Sequence, residues 1–456
     1  MRKENKKIVS GAAVLGAGAF LAKAIGAIYR VPLTALIGSD GLGLYQMVFP
    51  VYVVLLELSG AGVPNALSKI IAGENETPFA ARSYLKTALK FFAALGLIAS
   101  VLMAAFAKPF SALQGDGRAS FSYVALAPSV FFVCLISCFR GYFQGQMKMS
   151  PTAFSQVAEQ VVKLICGLTF SYLFMPDVTL AAAGAAFAVM LSEAAAFSGL
   201  FVCYKKSVRK ELPAFKYDKK KFRPELKKVI RYVVPITLVG IVLPLSQVAD
   251  SFMIINFLSV YSENPTALFG LFSGVAMTII NLPVSVCYGI AAIAVPSVSG
   301  AKEESEKRKN SARCISLTLA VSVPAAILCY AFAPLALKIL FGRLSESDRA
   351  VAAELIRMLS VTVVLASLLQ TCNAILIGKG KLYLPAVGVA AGVAAKIVLT
   401  AILVRNPQIN IYGGAVALIA CYFVADLINL IAVFAQGRIK ESYENKTARV
   451  GEIDCR

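Results

Sequence analysis

Residues 19–72 read AFLAKAIGAIYRVPLTALIGSDGLGLYQMVFPVYVVLLELSGAGVPNALSKIIA. Two apolar runs flank Ile37-Gly38-Ser39-Asp40-Gly41, a stretch whose Gly, Ser and Asp predict a turn between two helices. Lys23, Arg30 and Glu57 lie inside or at the edges of these runs. A soluble helix turns its charges to water. A segment apolar all round has no wet face, so charges within it point to function.

Composition extends this reading to the whole chain. Of its 456 residues 58% are hydrophobic and 15% charged, against about 25% charged in ordinary soluble domains. Apolar runs long enough to cross a bilayer of about 30 Å recur throughout. They fall at about 8–29, 43–71, 84–106, 119–141, 151–174, 179–204, 229–257, 266–295, 312–333, 351–377, 383–403 and 411–436. Alternation in ten-residue segments, the mark of a membrane β-barrel, is absent. The chain therefore reads as an all-α polytopic membrane protein of twelve spans. The first run is too long for a signal peptide and carries Lys23, so it is expected to be retained.

The net charge of +20 does not indicate nucleic acid, because most Lys and Arg sit between apolar runs. Clusters at Lys69/Arg82/Lys86/Lys90, Arg140/Lys148, Lys205–Arg231, Lys302–Arg313 and Lys379/Lys381 fall in loops of one parity, with both termini. The opposite loops hold only Arg30, Lys108, Arg118, Lys338, Arg343, Arg349 and Arg405. The basic side is the cytoplasmic side of a bacterial cell membrane, which places both termini inside. The chain has no His, so His-based zinc sites, triads and proton relays are excluded, and it has no CxxC; no metal or other cofactor is expected. Cys134 and Cys138 share a helix face as small packing residues. A membrane enzyme on lipid-linked sugars would need catalytic groups at the surface, and no DxD motif or long outer loop supplies them.

The basic loop 205–228 divides the spans six and six. The expected organisation is an N-terminal lobe at 1–204, a linker at 205–228, a C-terminal lobe at 229–436 and a polar tail at 437–456. The lobes repeat: Lys163 to Glu193 is 30 residues, as is Lys396 to Asp426, and Cys138–Pro151 matches Cys372–Pro385. Six spans per half make the repeat parallel, typical of transporters that rock two bundles about a central site.

The charges within the spans divide by type. Lys23 and Arg30, seven residues apart, lie on nearly one helix face about 10 Å apart along the axis. Glu159 and Lys163, four apart, are placed to pair. Glu193 and Asp426 fall at equivalent depths of spans six and twelve, and Asp250 lies in span seven. The candidate substrate-binding set is Lys23, Arg30, Glu57, Asn65, Asp250 and Asn281; the candidate ion-pair or coupling set is Glu159, Lys163, Glu193, Lys396 and Asp426. Basic groups in a membrane cavity suit a phosphate-bearing head group. Arg30 and Arg357 also sit where long basic side chains snorkel.

LAKAIGAIYRVPLTALIGSDGLGLYQMVFPVY with AGVPNALSKIIA resembles the stage V sporulation protein B-like and polysaccharide-transporter branch of the multidrug/oligosaccharidyl-lipid/polysaccharide (MOP) exporter superfamily. SPTAFSQVAEQVVKL (150–164) and INLPVSVCYGIAAIAVPSVSGA (280–301) extend the resemblance over about residues 8–436. It implies two six-helix lobes in a V, and flipping of undecaprenyl-linked sugars to the outer leaflet, with membrane lipids and cell-wall or polysaccharide synthesis enzymes as partners. Lys23 and Arg30 fall near basic residues of span one in the related lipid II flippases, with a one-residue offset at Arg30. Where those flippases carry a basic residue in span eight, this chain has Met277 and Thr278. The flippases and many sporulation relatives carry two further C-terminal spans. The alternative within the superfamily is a multidrug exporter coupled to a cation gradient, or to the membrane potential, through Glu57, Glu193, Asp250 or Asp426.

Overall fold

The computed structural model describes residues 2–73, 78–211, 218–301, 303–381 and 383–453. Residues 212–217, in the expected inter-lobe linker, and 454–456, in the expected tail, lie outside the described residues. Every regular element among the described residues is a helix.

The chain forms two compact units: Met1–Thr278 with Leu337–Val351, and Ile279–Ala336 with Ala352–Arg456. The first holds α1 (Arg2–Leu56), α2 (Gly62–Gly73), α3 (Pro78–Ala105), α4 (Ala107–Leu113), α5 (Ser120–Gly145), α6 (Ser150–Leu173), α7 (Val178–Glu211), α8 (Phe222–Gly240), α9 (Val242–Leu258) and α10 (Pro265–Phe269). α11 (Met277–Ser299), α12 (Glu304–Leu340) and α13 (Glu346–Gly378) cross between the units along the chain. α14 (Leu384–Leu403) and α15 (Tyr412–Ile453) complete the second.

The turn expected at 37–41 is a single residue. α1 runs through it and breaks only at Gly38, whose φ of 68° and ψ of −173° suit a residue without a Cβ. Ser39, Asp40 and Gly41 stay helical. Beyond the break, α1 lies almost backbone to backbone on α10: a Cβ on Gly43 would collide with the carbonyl of Thr266, and one on Gly270 with that of Ser39. Glycines at both crossings permit this approach, as small residues do between helices in lipid.

Among the described residues nine helices are long and apolar enough to span a membrane, or ten if the bent pair α8–α9 counts as one more; twelve were expected. Two local features account for the difference. α1 contains two of the expected runs, one on each side of Gly38. α6 carries Glu159 and Lys163 and is not among the helices apolar enough to qualify.

In the first unit, Leu67 and Ile70 of α2, Leu85 and Phe92 of α3 and Phe139 and Phe143 of α5 form one buried cluster. Phe139 continues it as a cluster of tilted and edge-on rings, 6.0 Å from Phe197, 6.2 Å from Phe201 and 5.5 Å from Tyr204 between ring centroids. In the second unit Ala294, Val298, Cys372, Ile375, Leu376 and Val433 do the same. The outer faces are apolar too: Leu97, Ile98 and Val101 on α3 and Ile327 and Leu328 on α12 are exposed, as helices facing lipid require.

The two units share a local device. α5 ends in a turn in which Met147 N donates to Gln144 O and Lys148 N to Phe143 O. α13 ends with Gly380 N donating to Ile377 O and Lys381 N to Leu376 O. Met147 and Gly380 both take positive φ. Pro151 and Pro385 then occupy the first turn of the following helices, where a missing N–H costs nothing.

Candidate functional site

The first unit gathers charge where α1, α5, α6 and α7 meet. Arg30, half-buried on α1, donates Nη1 to Thr278 Oγ1 at 2.8 Å. The Thr278 hydroxyl in turn donates to the Gly274 carbonyl. The residue standing where the resemblance puts a basic group in span eight is thus a hydrogen-bond acceptor for the basic group of span one. Arg30 presents five donors, and its hydrogen bonding among the described residues uses one of them.

Glu159 and Lys163 share a face of α6 but do not pair. Glu159 is taken by Arg140 of α5, whose Nη2 donates to Oε2 at 3.0 Å while its Nε donates to Ser155 Oγ at 3.1 Å. Gln160 Nε2 donates to the other oxygen at 3.1 Å. Lys163 turns to α1, where Nζ stands 5.6 Å from the centroid of Tyr29 and 5.4 Å from that of Phe49. Ring faces attract an ammonium through their quadrupoles but accept no conventional hydrogen bond. Arg140 therefore belongs to this cluster rather than to a cytoplasmic loop. Its guanidinium is sheltered, with 19% of its side chain exposed. Glu193, on α7, is buried and accepts from Tyr52 Oη at 3.4 Å. Lys163 lies within electrostatic reach of Arg30, Glu159 and Glu193 together.

Three cations and two carboxylates thus meet in one place, and Arg30 and Lys163 keep donors to spare. An anionic group of several oxygens would find charge and N–H groups there. Tyr52 was not singled out from sequence, Arg140 was read there as a loop charge, and Thr278 only as one of two residues in place of a basic group. The length of α5 was the available signal for Arg140, since a helix continuing to Gly145 puts it more than a turn inside.

The other candidates lie apart from this cluster. Lys23, two turns before Arg30 on α1, is exposed. Glu57 opens a π-helical turn, Glu57–Ala61, after α1. Gly240 of α8 passes so close that a Cβ there would lie 2.7 Å from Glu57 Oε2. Asn65 is exposed on α2, and Asp250 is buried on α9. In the second unit Asn281 is exposed, whereas Lys396 and Asp426 are buried on α14 and α15.

A polar network closes the Gly38 end of the first unit. Arg118 grips Asp40 with both terminal nitrogens, at 2.7 and 2.8 Å, and Asp116 at 2.7 Å. Thr266 Oγ1 donates to Asp116 at 2.8 Å, and Ser39 Oγ to Asp348 at 2.8 Å. Burial alone would raise the Asp116 carboxyl, but hydrogen bonds from Arg118 and Thr266 hold it below its ordinary value.

Comparison with known proteins matches this architecture. The family described as Polysaccharide biosynthesis protein covers residues 8–301, and the MatE family covers residues 235–402. Stage V sporulation protein B of Bacillus subtilis (strain 168) is 26% identical over 93% of this chain and 83% of its own length. Lipid II flippase MurJ of the same organism is also 26% identical, over 93% of this chain and 82% of its own. Among solved structures, an inward-facing multidrug resistance MATE family transporter of the MOP superfamily superposes with a TM-score of 0.76 at 19% identity, covering 93% of this chain and 96% of that one. Lipid II flippase MurJ in an inward closed conformation gives 0.73 at 14% identity, covering 92% and 87%. The chain belongs to the Polysaccharide biosynthesis protein family and is a multi-span membrane protein that shares its fold with these transporters.

Proposed function

We propose that the protein is a flippase that moves a lipid-linked oligosaccharide or cell-wall precursor from the inner to the outer leaflet by alternating access. The observation that carries this reading is the pairing of spare donors on Arg30 and Lys163 in one sheltered cluster. A diphosphate-linked sugar offers the anionic oxygens such donors seek, while its lipid tail stays in the bilayer. Lys23, exposed two turns away on the same helix, is the first contact, and Arg30 and Lys163 receive the phosphates next. The relatives support the substrate class by their names, a lipid II flippase and a polysaccharide biosynthesis family. The matching turns after α5 and α13 support two lobes of a parallel repeat, 1–204 and 229–436, joined by the basic segment 205–228. The basic loops support cytoplasmic termini in a bacterial cell membrane, with lipid-handling synthesis enzymes as partners.

The test is a reconstituted flipping assay over a panel of undecaprenyl-pyrophosphate sugars. The Lys23→Ala/Arg30→Ala variant is expected to accumulate in the membrane and lose transport. Arg30→Lys keeps part of the activity if charge alone matters, and little if the planar fork is needed. Full transport by the double variant sinks the phosphate-handling role.

A second reading, cation-coupled drug export, is favoured by the buried carboxylates of Glu193 and Asp426 and by the match to MATE transporters. Efflux of a cationic dye driven by an imposed ion gradient, unaffected by Lys23→Ala/Arg30→Ala, would place it first.

A further inference from the structure

α8 carries a charged face that neither transport reading uses. Arg223, Lys227 and Arg231 are exposed and follow one another at four-residue steps, so they stand in one row along the helix. None of the three is hydrogen-bonded or ion-paired among the described residues. The only carboxylate of α8, Glu225, faces the other way. It is buried against α3, where Ser83 Oγ and Thr87 Oγ1 each donate to it at 2.5 Å. Val229 and Val233, one and two turns on, are buried on that same side. Two cations edge the packed side on aromatic rings. Lys228 Nζ stands 5.7 Å from the centroid of Tyr84 on α3, and Lys69 Nζ of α2 stands 4.9 Å from that of Tyr232. α8 is thus fixed to α2 and α3 by one side and turns its basic row outward.

The row does not end among polar residues. Val234 and Leu238 continue it along the same face, 46% and 63% exposed. Leu238 comes seven residues after Arg231, about 10 Å further along the axis. The face is therefore amphipathic along its length, cations at one end and bare aliphatic groups at the other. Like charges four residues apart destabilise a helix unless something neutralises them. A soluble anion would do so but would leave Val234 and Leu238 uncovered. A zwitterionic lipid would cover them but would bring its own cation to the row. A lipid with a net negative head group meets both demands, since guanidinium forks onto phosphate oxygens and each basic residue near the head groups adds attraction.

We infer that this face of α8 binds an anionic phospholipid of the surrounding bilayer. Its phosphate lies on Arg223, Lys227 and Arg231, and an acyl chain runs along Val234 and Leu238. The bilayer fills the site rather than the transported molecule, so the inference stands under either transport reading.

The chain contains no tryptophan, so Leu238→Trp places a single reporter at the lipid end of the row. The full chain with this substitution is reconstituted in mixed vesicles in which either phosphatidylglycerol or phosphatidylcholine carries brominated acyl chains. Brominated phosphatidylglycerol is expected to quench the reporter with an apparent affinity about fivefold or more above that of brominated phosphatidylcholine. High salt should shrink the preference. Adding Arg223→Gln/Lys227→Gln/Arg231→Gln is expected to remove it, and Arg223→Lys/Arg231→Lys to keep most of it. Ile327→Trp, on the exposed apolar face of α12, should show none. If the triple variant fails to accumulate, Arg231→Gln alone decides, with the preference expected to fall to about half or less. Equal quenching by the two lipids at Leu238→Trp overturns the site, as does a preference that survives loss of the charges or appears equally at Ile327→Trp. A preference erased by undecaprenyl pyrophosphate at the concentration of the protein assigns the row to the transported lipid and overturns the inference too.

Discussion

Glu159 shows how a single residue's partner depends on what the fold brings beside it. Spacing along α6 makes Lys163 the local choice, but Arg140 arrives from α5 with a fork that reaches both Glu159 and Ser155. A planar guanidinium satisfies two acceptors at once, which an ammonium on a flexible stem does less well. Lys163 is thereby released to the rings of Tyr29 and Phe49. A double-mutant cycle on Arg140→Met and Glu159→Gln should give a coupling energy of about 1–3 kcal/mol in unfolding, and one on Glu159→Gln and Lys163→Met close to zero. The sequence marked Arg30, Glu159, Lys163 and Glu193 because charge in an apolar run stands out, and these four do converge. Arg140 and Thr278 did not stand out. The first looked like a loop charge, and the second is a hydroxyl whose role exists only across the fold. The Asp116 network yields a prediction about acid. With its folded pKa below the ordinary 3.8, Asp116 adds stability fully present above that value, and the gain is lost as pH falls through the folded pKa. Asp116→Asn should unfold more easily at neutral pH and lose that part of the acid sensitivity, read from thermal midpoints across the acid range.

At the scale of the element, α1 carries the most information. Its two apolar runs were legible, and the glycine between them marked a change of direction, but the form of that change was not. One residue of positive φ bends the chain while helical hydrogen bonding resumes at once on the far side. Turn-forming residues such as Ser39 and Asp40 are held helical because their side chains bond to Asp348 and Arg118. α6 was read as a span from its length, whereas its charged face faces protein rather than lipid. The α1–α10 crossing gives a sharp test. Gly43→Ala places a methyl against the Thr266 carbonyl, a rigid backbone atom, so the helices must separate. The expected loss is about 1–3 kcal/mol of stability, the usual cost of overpacking. Gly16→Ala on the same helix meets no atom within 4 Å and should be neutral or slightly stabilising, which controls for helix propensity.

At the scale of the whole molecule, the class was plain in the sequence because every backbone polar group within a bilayer must be satisfied internally, and long apolar runs leave helices as the solution. Orientation is a different matter, settled by how loops interact with the translocation machinery and the membrane potential rather than by packing. The argument for it is charge. Lys205, Lys206, Lys220, Lys221, Arg223, Lys227 and Lys228 crowd the segment around 205–228, while the short stretch between α12 and α13 carries Arg343 beside Glu346 and Asp348. Loops rich in Lys and Arg remain on the cytoplasmic side. In a background with the native cysteines replaced, a cysteine at Lys220 should be shielded from a membrane-impermeant thiol reagent in intact cells and react after permeabilisation. A cysteine at Ser347 should react in intact cells. Lys220 lies outside the spans and Ser347 is exposed in the first turn of the span that begins at Glu346, so neither result depends on burial within the bilayer. Labelling of Lys220→Cys from outside would invert the topology, and with it the direction of the phosphate hand-over proposed for Lys23 and Arg30.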